Sequence, residues 1–309
     1  MSVQPIKNFT ESITLKGHDD YVKSLCVVYL GGEQVIVSGS YDSSIKLWNP
    51  LIKGDKPGRN ENKLMLTLLG HQSYVYCVNT FKVEKEVRLI SGSGDKTIKI
   101  WNPFGKFEKL IDTLIGHNGA VLCLAVLRLN KEELIVSGSL DKTIKVWNPF
   151  KSEKLLMTMK GHEDYILSLT TLRLNNEEFI VSGSEDHTIK VWNPLLKEDK
   201  KLFLTIPAHD KDVTCLTTFE VNGEDLIVSG SWDRTIKVWN LFAEGNKLVA
   251  VLKGHEKSIC CITTIRINNE DFIVSGSEDN TIKIWNPLAK IDKCLMTITV
   301  NFIMSSYSH

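Results

Sequence analysis

Residues 161–192 read GHEDYILSLTTLRLNNEEFIVSGSEDHTIKVW, and the distances inside this stretch decide the fold. His162 is followed 20 residues later by Ser182, 24 later by Asp186 and 30 later by Trp192. The same register returns as His18/Ser38/Asp42/Trp48, His71/Ser91/Asp95/Trp101, His117/Ser137/Asp141/Trp147, His209/Ser229/Asp233/Trp239 and His255/Ser275/Asp279/Trp285. Successive histidines lie 53, 46, 45, 47 and 46 residues apart, and all of that variation falls between a Trp and the next His. A unit of fixed internal geometry is therefore joined by variable connections, which is the mark of a repeat architecture whose units bury their faces against neighbours.

Inside the repeat, Tyr165–Leu174, Phe179–Ser184 and Thr188–Trp192 are rich in Ile, Val, Leu and Thr, and Asn-Asn-Glu and Asn-Pro punctuate them. With the preceding Leu156–Lys160, this is the composition of four short antiparallel strands with no room for a helix. Proline follows Trp-Asn at Pro50, Pro103, Pro149, Pro194 and Pro287 and ends the third strand, because it has no N–H to donate; Leu241 departs from the pattern. The repeat cores fall near 17–48, 70–101, 116–147, 161–192, 208–239 and 254–285, in one domain spanning 1–309.

Lys and Arg number 37 against 37 Asp and Glu, so no broad positive field draws the chain to nucleic acid or anionic lipid. Neither nucleic-acid binding nor membrane insertion is expected: no apolar run approaches the roughly 18 residues that span a bilayer. Met1–Phe9 lacks the apolar core of a signal peptide, so the expected location is the cytoplasm or the nucleus. The sequon Asn8-Phe9-Thr10 is then incidental. Cys77, Cys123, Cys215 and Cys261 each stand six residues after a repeat histidine, where Ser24 and Ser168 occupy the other copies. That slot takes a small side chain, and the cysteines read as reduced core thiols. Without a Cys-x-x-Cys pair, a Gly-rich phosphate loop or a His-Glu-x-x-His segment, no metal and no cofactor is expected.

The Gly-His, Ser-Gly-Ser-x-Asp and Ile-Lys-x-Trp pattern resembles the WD40-repeat (beta-transducin-like) family, whose units form the blades of a β-propeller. Two departures stand out. Asn follows Trp in all six copies (Asn49, Asn102, Asn148, Asn193, Asn240, Asn286) where the family has Asp, and Ala208 replaces the Gly before His209. The resemblance implies an all-β propeller of four-stranded antiparallel blades: six complete repeats plus a possible partial seventh. It also implies that Trp donates to Ser, Ser to His and His to Asp. Outer-strand candidates number seven for six inner triplets, with the terminal ones near 13–16 and 294–298, so closed six-bladed and incomplete seven-bladed rings both stay open. The Lys53–Asn62 stretch reads as a solvated loop on the face away from the histidines.

A Ser, a His and an Asp in one set also spell a hydrolase triad, but a catalytic constellation occurs once and not six times, so the sets read as structural and the chain as non-catalytic. In the resembling family, partners dock on the face built from the loop after Gly-His and the turn before Asp. One residue after each His, three after it and one before each Asp make 18 positions, with seven acidic residues, four Tyr, one Trp and no Lys or Arg. The partner-binding candidates are Asp19, Tyr21, Tyr41, Tyr74, Glu163, Tyr165, Glu185, Asp210, Asp212, Trp232, Glu256 and Glu278. An acidic, aromatic face suits a partner protein or peptide with basic segments. The expected function is a protein–protein interaction scaffold; an adaptor or substrate-recognition subunit of a ubiquitin ligase or signalling complex is the alternative, and a hydrolase or a nucleic-acid or phospholipid binder is remote. The oligomeric state is not legible in the sequence.

Overall fold

A computed structural model describes residues 13–300 apart from 31, 52–62, 84–85, 106–108, 130, 175–176, 198–199, 222–223, 242, 246, 269 and 290–292. The Met1–Phe9 segment, the sequon, the Lys53–Asn62 loop and the tail 301–309 lie outside the described residues.

The repeats fold as six four-stranded antiparallel sheets, each a simple meander, so the architecture is an all-β propeller of six blades. Blade 4 shows the plan: Ile166–Leu174 innermost, then Glu177–Ser184, Thr188–Trp192 and Leu202–Pro207. Ser182 pairs with Lys190 on one side and Leu169 on the other, and this register recurs in every blade because the same sequence spacing imposes it. Six of the seven outer-strand candidates are strands; Ile13–Lys16 is not one. Blade 6 takes its outer strand, Cys294–Thr299, from the C-terminal side, so the N-terminal candidate is the surplus one.

Five apolar clusters hold the blades together, one at each junction from blade 1/2 to blade 5/6. At each junction the Gly of Ser-Gly-Ser lets the next blade's β-branched residue approach. A Cβ on Gly183 would lie 2.6 Å from Val213 Cγ1 and 2.7 Å from Ser168 Oγ. The small slot six residues after the histidine also faces the next blade: Cys123 Sγ and Ser168 Oγ each donate to a backbone carbonyl there, at 3.6 and 3.4 Å.

The sixth junction, between blades 6 and 1, differs. Each first strand packs on the first strand of the next blade along the series, but among the described residues blade 6 makes no comparable contact with blade 1. Val22 is 48% exposed, while its counterparts Val75, Val121, Ile166, Val213 and Ile259 are all at 0%. The expectation that all four repeat cysteines are core thiols therefore needs correcting: Cys77, Cys123 and Cys215 are buried, but Cys261 points at this seam and is exposed.

The seam gives a contrast between equivalent glycines. Gly183→Ala should destabilise by about 1–3 kcal/mol, because the packed neighbours must move. Gly276→Ala should cost less than about 0.5 kcal/mol, since its Cβ meets only the Cys261 Sγ of its own blade, at the surface. Paired urea titrations compare the two, and equal losses would mean that the sixth junction is packed like the rest.

Candidate functional site

The His/Ser/Asp/Trp sets meet once per blade. In blade 4, Trp192 Nε1 donates to Ser182 Oγ at 2.8 Å, Ser182 Oγ to His162 Nε2 at 2.7 Å, and His162 Nδ1 to Asp186 Oδ2 at 2.6 Å. In the other blades Trp48, Trp101, Trp147, Trp239 and Trp285 donate in the same way to Ser38, Ser91, Ser137, Ser229 and Ser275, at 2.8–2.9 Å. Those serines reach His18, His71, His117, His209 and His255 at 2.6–2.7 Å. The histidines in turn reach Asp42, Asp95, Asp141, Asp233 and Asp279 at 2.7–2.8 Å. The donor directions follow from the inventory: indole can only donate and an ionised carboxylate can only accept, so the imidazole proton sits on Nδ1.

Burial separates these sets from the docking candidates. Ser38, Ser91, Ser137, Ser182, Ser229 and Ser275 are at most 2% exposed, and Trp48, Trp101, Trp147, Trp192, Trp239 and Trp285 at most 5%. None of these side chains is within reach of a partner or a substrate, so they differ from surface site residues: they are joints inside the blades. Each serine oxygen accepts from its tryptophan, so the buried hydroxyl is engaged inside its blade.

The network reaches further than the quartet. Two residues after each Asp stands Ser44, Thr97, Thr143, Thr188, Thr235 or Thr281, whose hydroxyl donates to the other carboxylate oxygen at 2.6 Å. The backbone N–H after each histidine also reaches the Asp, at 2.9 Å in Glu163. The asparagine that replaces the family's Asp after Trp has a physical reason in three blades. The side-chain amides of Asn49, Asn148 and Asn193 donate to Glu33, Glu132 and Glu177, where an Asp would set two carboxylates face to face.

Burial raises the Asp42 carboxyl, but hydrogen bonds from Ser44, His18 and Asp19 outweigh it and hold the group down at about 2. The other five network aspartates are lowered by the same opposition. Burial lowers His162, His209 and His255, and their aspartates only partly oppose it. Both shifts are depressions, so both contributions to stability are present at neutral pH and disappear on acidification. Stability should start to fall below pH ~6.5, where unfolded histidines take up a proton that the folded ones refuse, by up to about 1.4 kcal/mol per pH unit for each. A second loss should follow below about pH 4, from the aspartates. Urea midpoints at pH 7.5, 6 and 5 check this; a flat profile contradicts it.

The candidate docking face lies where the histidine loops and the Asp turns meet. In every blade the residue before Asp donates its N–H to the carbonyl of the third residue after His: Tyr41 to Tyr21, Gly94 to Tyr74, Leu140 to Ala120, Glu185 to Tyr165, Trp232 to Asp212 and Glu278 to Ser258. The two sets of positions are thus one surface. Asp19, Tyr21, Tyr74, Glu163, Tyr165, Asp210, Trp232, Glu256 and Glu278 are exposed, and Tyr41 and Glu185 are half-buried. Asp212 departs from the expectation: it is turned inward at 7% exposure, with its carboxylate 3.7 Å from the His187 imidazole, so it packs rather than presents itself. Tyr41 stacks on Tyr74 with centroids 4.6 Å apart, and Tyr21 and Tyr76 meet Tyr41 edge-on. Tyr76 stands outside the 18 sampled positions and joins this surface through its neighbouring tyrosines.

The face is less uniformly acidic than those 18 positions suggest. The residue after each Asp adopts positive φ, from 62° to 71°, and at Lys96, Lys142, His187 and Arg234 it lifts an exposed nitrogen base onto the same surface. Lys142 crosses to blade 4, where its ammonium donates to the Glu163 carbonyl at 2.7 Å, pairs with Asp164 at 3.3 Å and sits 5.9 Å over the Tyr165 ring. At the opposite end of the channel a cavity of about 700 Å³ is lined by cross-strand pairs such as Arg128–Glu133 and Arg173–Glu178, whose charges satisfy one another.

A six-bladed propeller stitched by this network defines a class of scaffold built from repeated blades. The family model for the WD domain, G-beta repeat, matches residues 9–49, 62–102, 108–148, 153–193, 200–240 and 246–286, and the chain belongs to the WD40 family. It is similar to the guanine nucleotide-binding protein subunit beta-like protein of Encephalitozoon cuniculi, at 39% identity over 30% of this chain and 25% of that protein. Nuclear distribution protein PAC1 of Candida albicans is 35% identical over 28% of this chain and 21% of its own length. Elongator complex protein 2 of Drosophila melanogaster is 29% identical over 31% and 16%. The matched part spans a quarter or less of each of these relatives. Propellers of this family are generally non-catalytic scaffolds that bind other proteins, and membership implies an interaction scaffold here.

Proposed function

We propose that this scaffold binds a partner protein through a basic segment laid across the histidine-loop face. Lys142 is the observation that carries the reading, because it shows within the molecule how this face holds a cation: carboxylate, backbone carbonyl and tyrosine ring converge on one ammonium. The loop Asp19-Asp20-Tyr21 of blade 1 repeats the Glu163-Asp164-Tyr165 loop, down to the Tyr21 N–H donating to the Asp20 carboxylate as Tyr165 does to Asp164. On the same face the cluster of Tyr21, Tyr41, Tyr74 and Tyr76, and in blade 5 Trp232, 47% exposed, supply flat anchors of the kind that dominate interface energetics. Steering by the acidic residues sets the on-rate and fades as salt rises.

The test is quantitative capture with the full chain against a Tyr21/Tyr165/Trp232 triple-alanine variant, with melting followed in parallel. The variant should lose bound protein by about tenfold or more, as expected of anchor residues, while melting within a few degrees of the parent. Undiminished capture, or capture lost only together with the fold, contradicts the assignment of the face.

A further inference from the structure

Building on the reading of the histidine-loop face as the docking surface, we propose that Lys142 is a built-in competitor for a lysine site on the blade 4 loop, and that a lysine of the basic partner segment enters by displacing it. The site is defined by the group already seated in it. Three ligands of different kinds converge on the Lys142 ammonium: the Glu163 carbonyl accepts at 2.7 Å, Asp164 Oδ1 lies at 3.3 Å, and the Tyr165 ring centroid is 5.9 Å away. All three belong to blade 4, whereas Lys142 comes from blade 3. The loop is held in place by bonds of its own. The Tyr165 N–H donates to Asp164 Oδ1 at 3.0 Å, and the Glu163 N–H donates to Asp186 at 2.9 Å, so the ligand set is prepared whether or not the lysine occupies it.

Lys142 is held weakly enough to give way. Its side chain and that of Asp164 are 46% and 40% exposed, so water and salt compete for both charges. Seating the ammonium also restricts a flexible four-carbon stem, and the displaced lysine returns to water as an ordinary surface side chain. The turn itself gives no reason for a lysine here: Lys142 stands at φ 64°, a left-handed conformation in which Asn is at ease, and Asn280 fills that place in blade 6. Lys96 fills it in blade 2, but the loop that follows is Asn118-Gly119-Ala120, which offers neither acid nor ring. The ammonium site is thus a property of the blade 4 loop and not of the turn that carries the lysine. Nor does Lys142 exhaust the negative charge around it. Burial, and after it the charges of Asp212 and Asp164, raise the Glu185 carboxyl, and Lys142 and His187 only partly oppose them. A further cation is still drawn to this part of the face. Self-occupancy lowers the apparent affinity by the fraction of time the site stands open, so the segment that gains entry is one with additional contacts on the face.

The experiment titrates the full chain with a hexalysine peptide at low salt, by calorimetry, and compares Lys142→Met, Lys142→Arg, Lys96→Met and the double variant Lys142→Met/Asp164→Asn, with melting followed for each. Methionine keeps the stem and leaves the site vacant. Lys142→Met should bind the peptide about fivefold more tightly, the factor by which a contact of this exposed class holds a site shut. Lys142→Arg, which keeps a cation in place, should stay close to the native chain, and Asp164→Asn added to Lys142→Met should cancel the gain. Lys96→Met removes the same charge from the same face without vacating a ligand set, so it should change binding by less than about twofold. Equal gains from Lys142→Met and Lys96→Met would mean steering alone, and unchanged or weaker binding by Lys142→Met would mean that the lysine blocks nothing. Either result overturns the proposal and leaves the reading of the docking face standing. That reading fails by a different result, which takes the proposal with it: hexalysine bound by none of the chains, or bound undiminished by the Tyr21/Tyr165/Trp232 triple-alanine variant.

Discussion

Trp239→Ala should unfold the blade 4/5 junction. The indole is buried in the cluster formed by Leu172, Phe179, Ile206, Val213 and Leu241, and its Nε1 donates to Ser229 Oγ at 2.8 Å. Truncation removes the buried ring at a cost of about 3–5 kcal/mol. It also strips a donor from a buried serine oxygen, which adds about 1–3 kcal/mol. Against a total stability of roughly 5–15 kcal/mol, the sum is a large fraction of what holds a domain together. Trp239→Phe separates the two contributions: it keeps most of the apolar area and loses only the hydrogen bond, so it should show the smaller cost alone. Thermal and urea unfolding of both variants read the difference. An alanine variant within 1 kcal/mol or so of the parent would mean that the indole is not a structural member of the blade.

Asp186→Asn is the second large effect, and it arises from polarity with no change in size. Oδ2 of Asp186 accepts from both His162 Nδ1 and the Glu163 N–H, at 2.6 and 2.9 Å, while Oδ1 accepts from the Thr188 hydroxyl and N–H. An amide has one oxygen for four donors, so its NH2 must face either the histidine pair or the threonine pair. Orphaning buried donors costs about 1–3 kcal/mol for the group, more where a charge had been stabilising the bond. If the NH2 faces the histidine, the imidazole has to move its proton to Nε2, and the Ser182 hydroxyl then turns from donating to His162 to the longer bond to the Lys190 carbonyl, at 3.4 Å. The variant should therefore be destabilised by a few kcal/mol and lose part of the acid-dependence of the parent. Retained stability with an unchanged pH profile would contradict the proposed direction of the bonds.

Much of this architecture is legible from spacing alone. A histidine with a serine, an aspartate and a tryptophan at constant offsets marks residues that meet across strands, and the quartets are joined wherever the spacing puts them. The Thr188-type hydroxyl is equally present in the sequence, but a threonine at the start of a strand looks like ordinary strand composition until the carboxylate beside it is seen. The Asn148–Glu132 bond links residues 16 apart on neighbouring strands, so its logic depends on the register. The seam is the hardest feature to foresee. Val22 has the same residue type as Val75, Val121 and Val213, and what distinguishes it is the blade that fails to cover it. Counting outer strands exposes the imbalance at the ends of the chain but not which face it leaves bare. On the docking face, sampling the positions before Asp and after His finds the acids and tyrosines. It misses Lys142, because the residue after Asp joins the surface only through its left-handed backbone conformation.

The measurement closest to the central claim is nitrogen-15 NMR of the histidine side chains at neutral pH. If the quartets are the joints that fix blade register, His18, His71, His117, His162, His209 and His255 should each carry the proton on Nδ1, with Nε2 accepting, and these protons should exchange slowly. Rapidly exchanging imidazoles with the proton on Nε2 would show that the side chains do not form the joints on which this architecture depends.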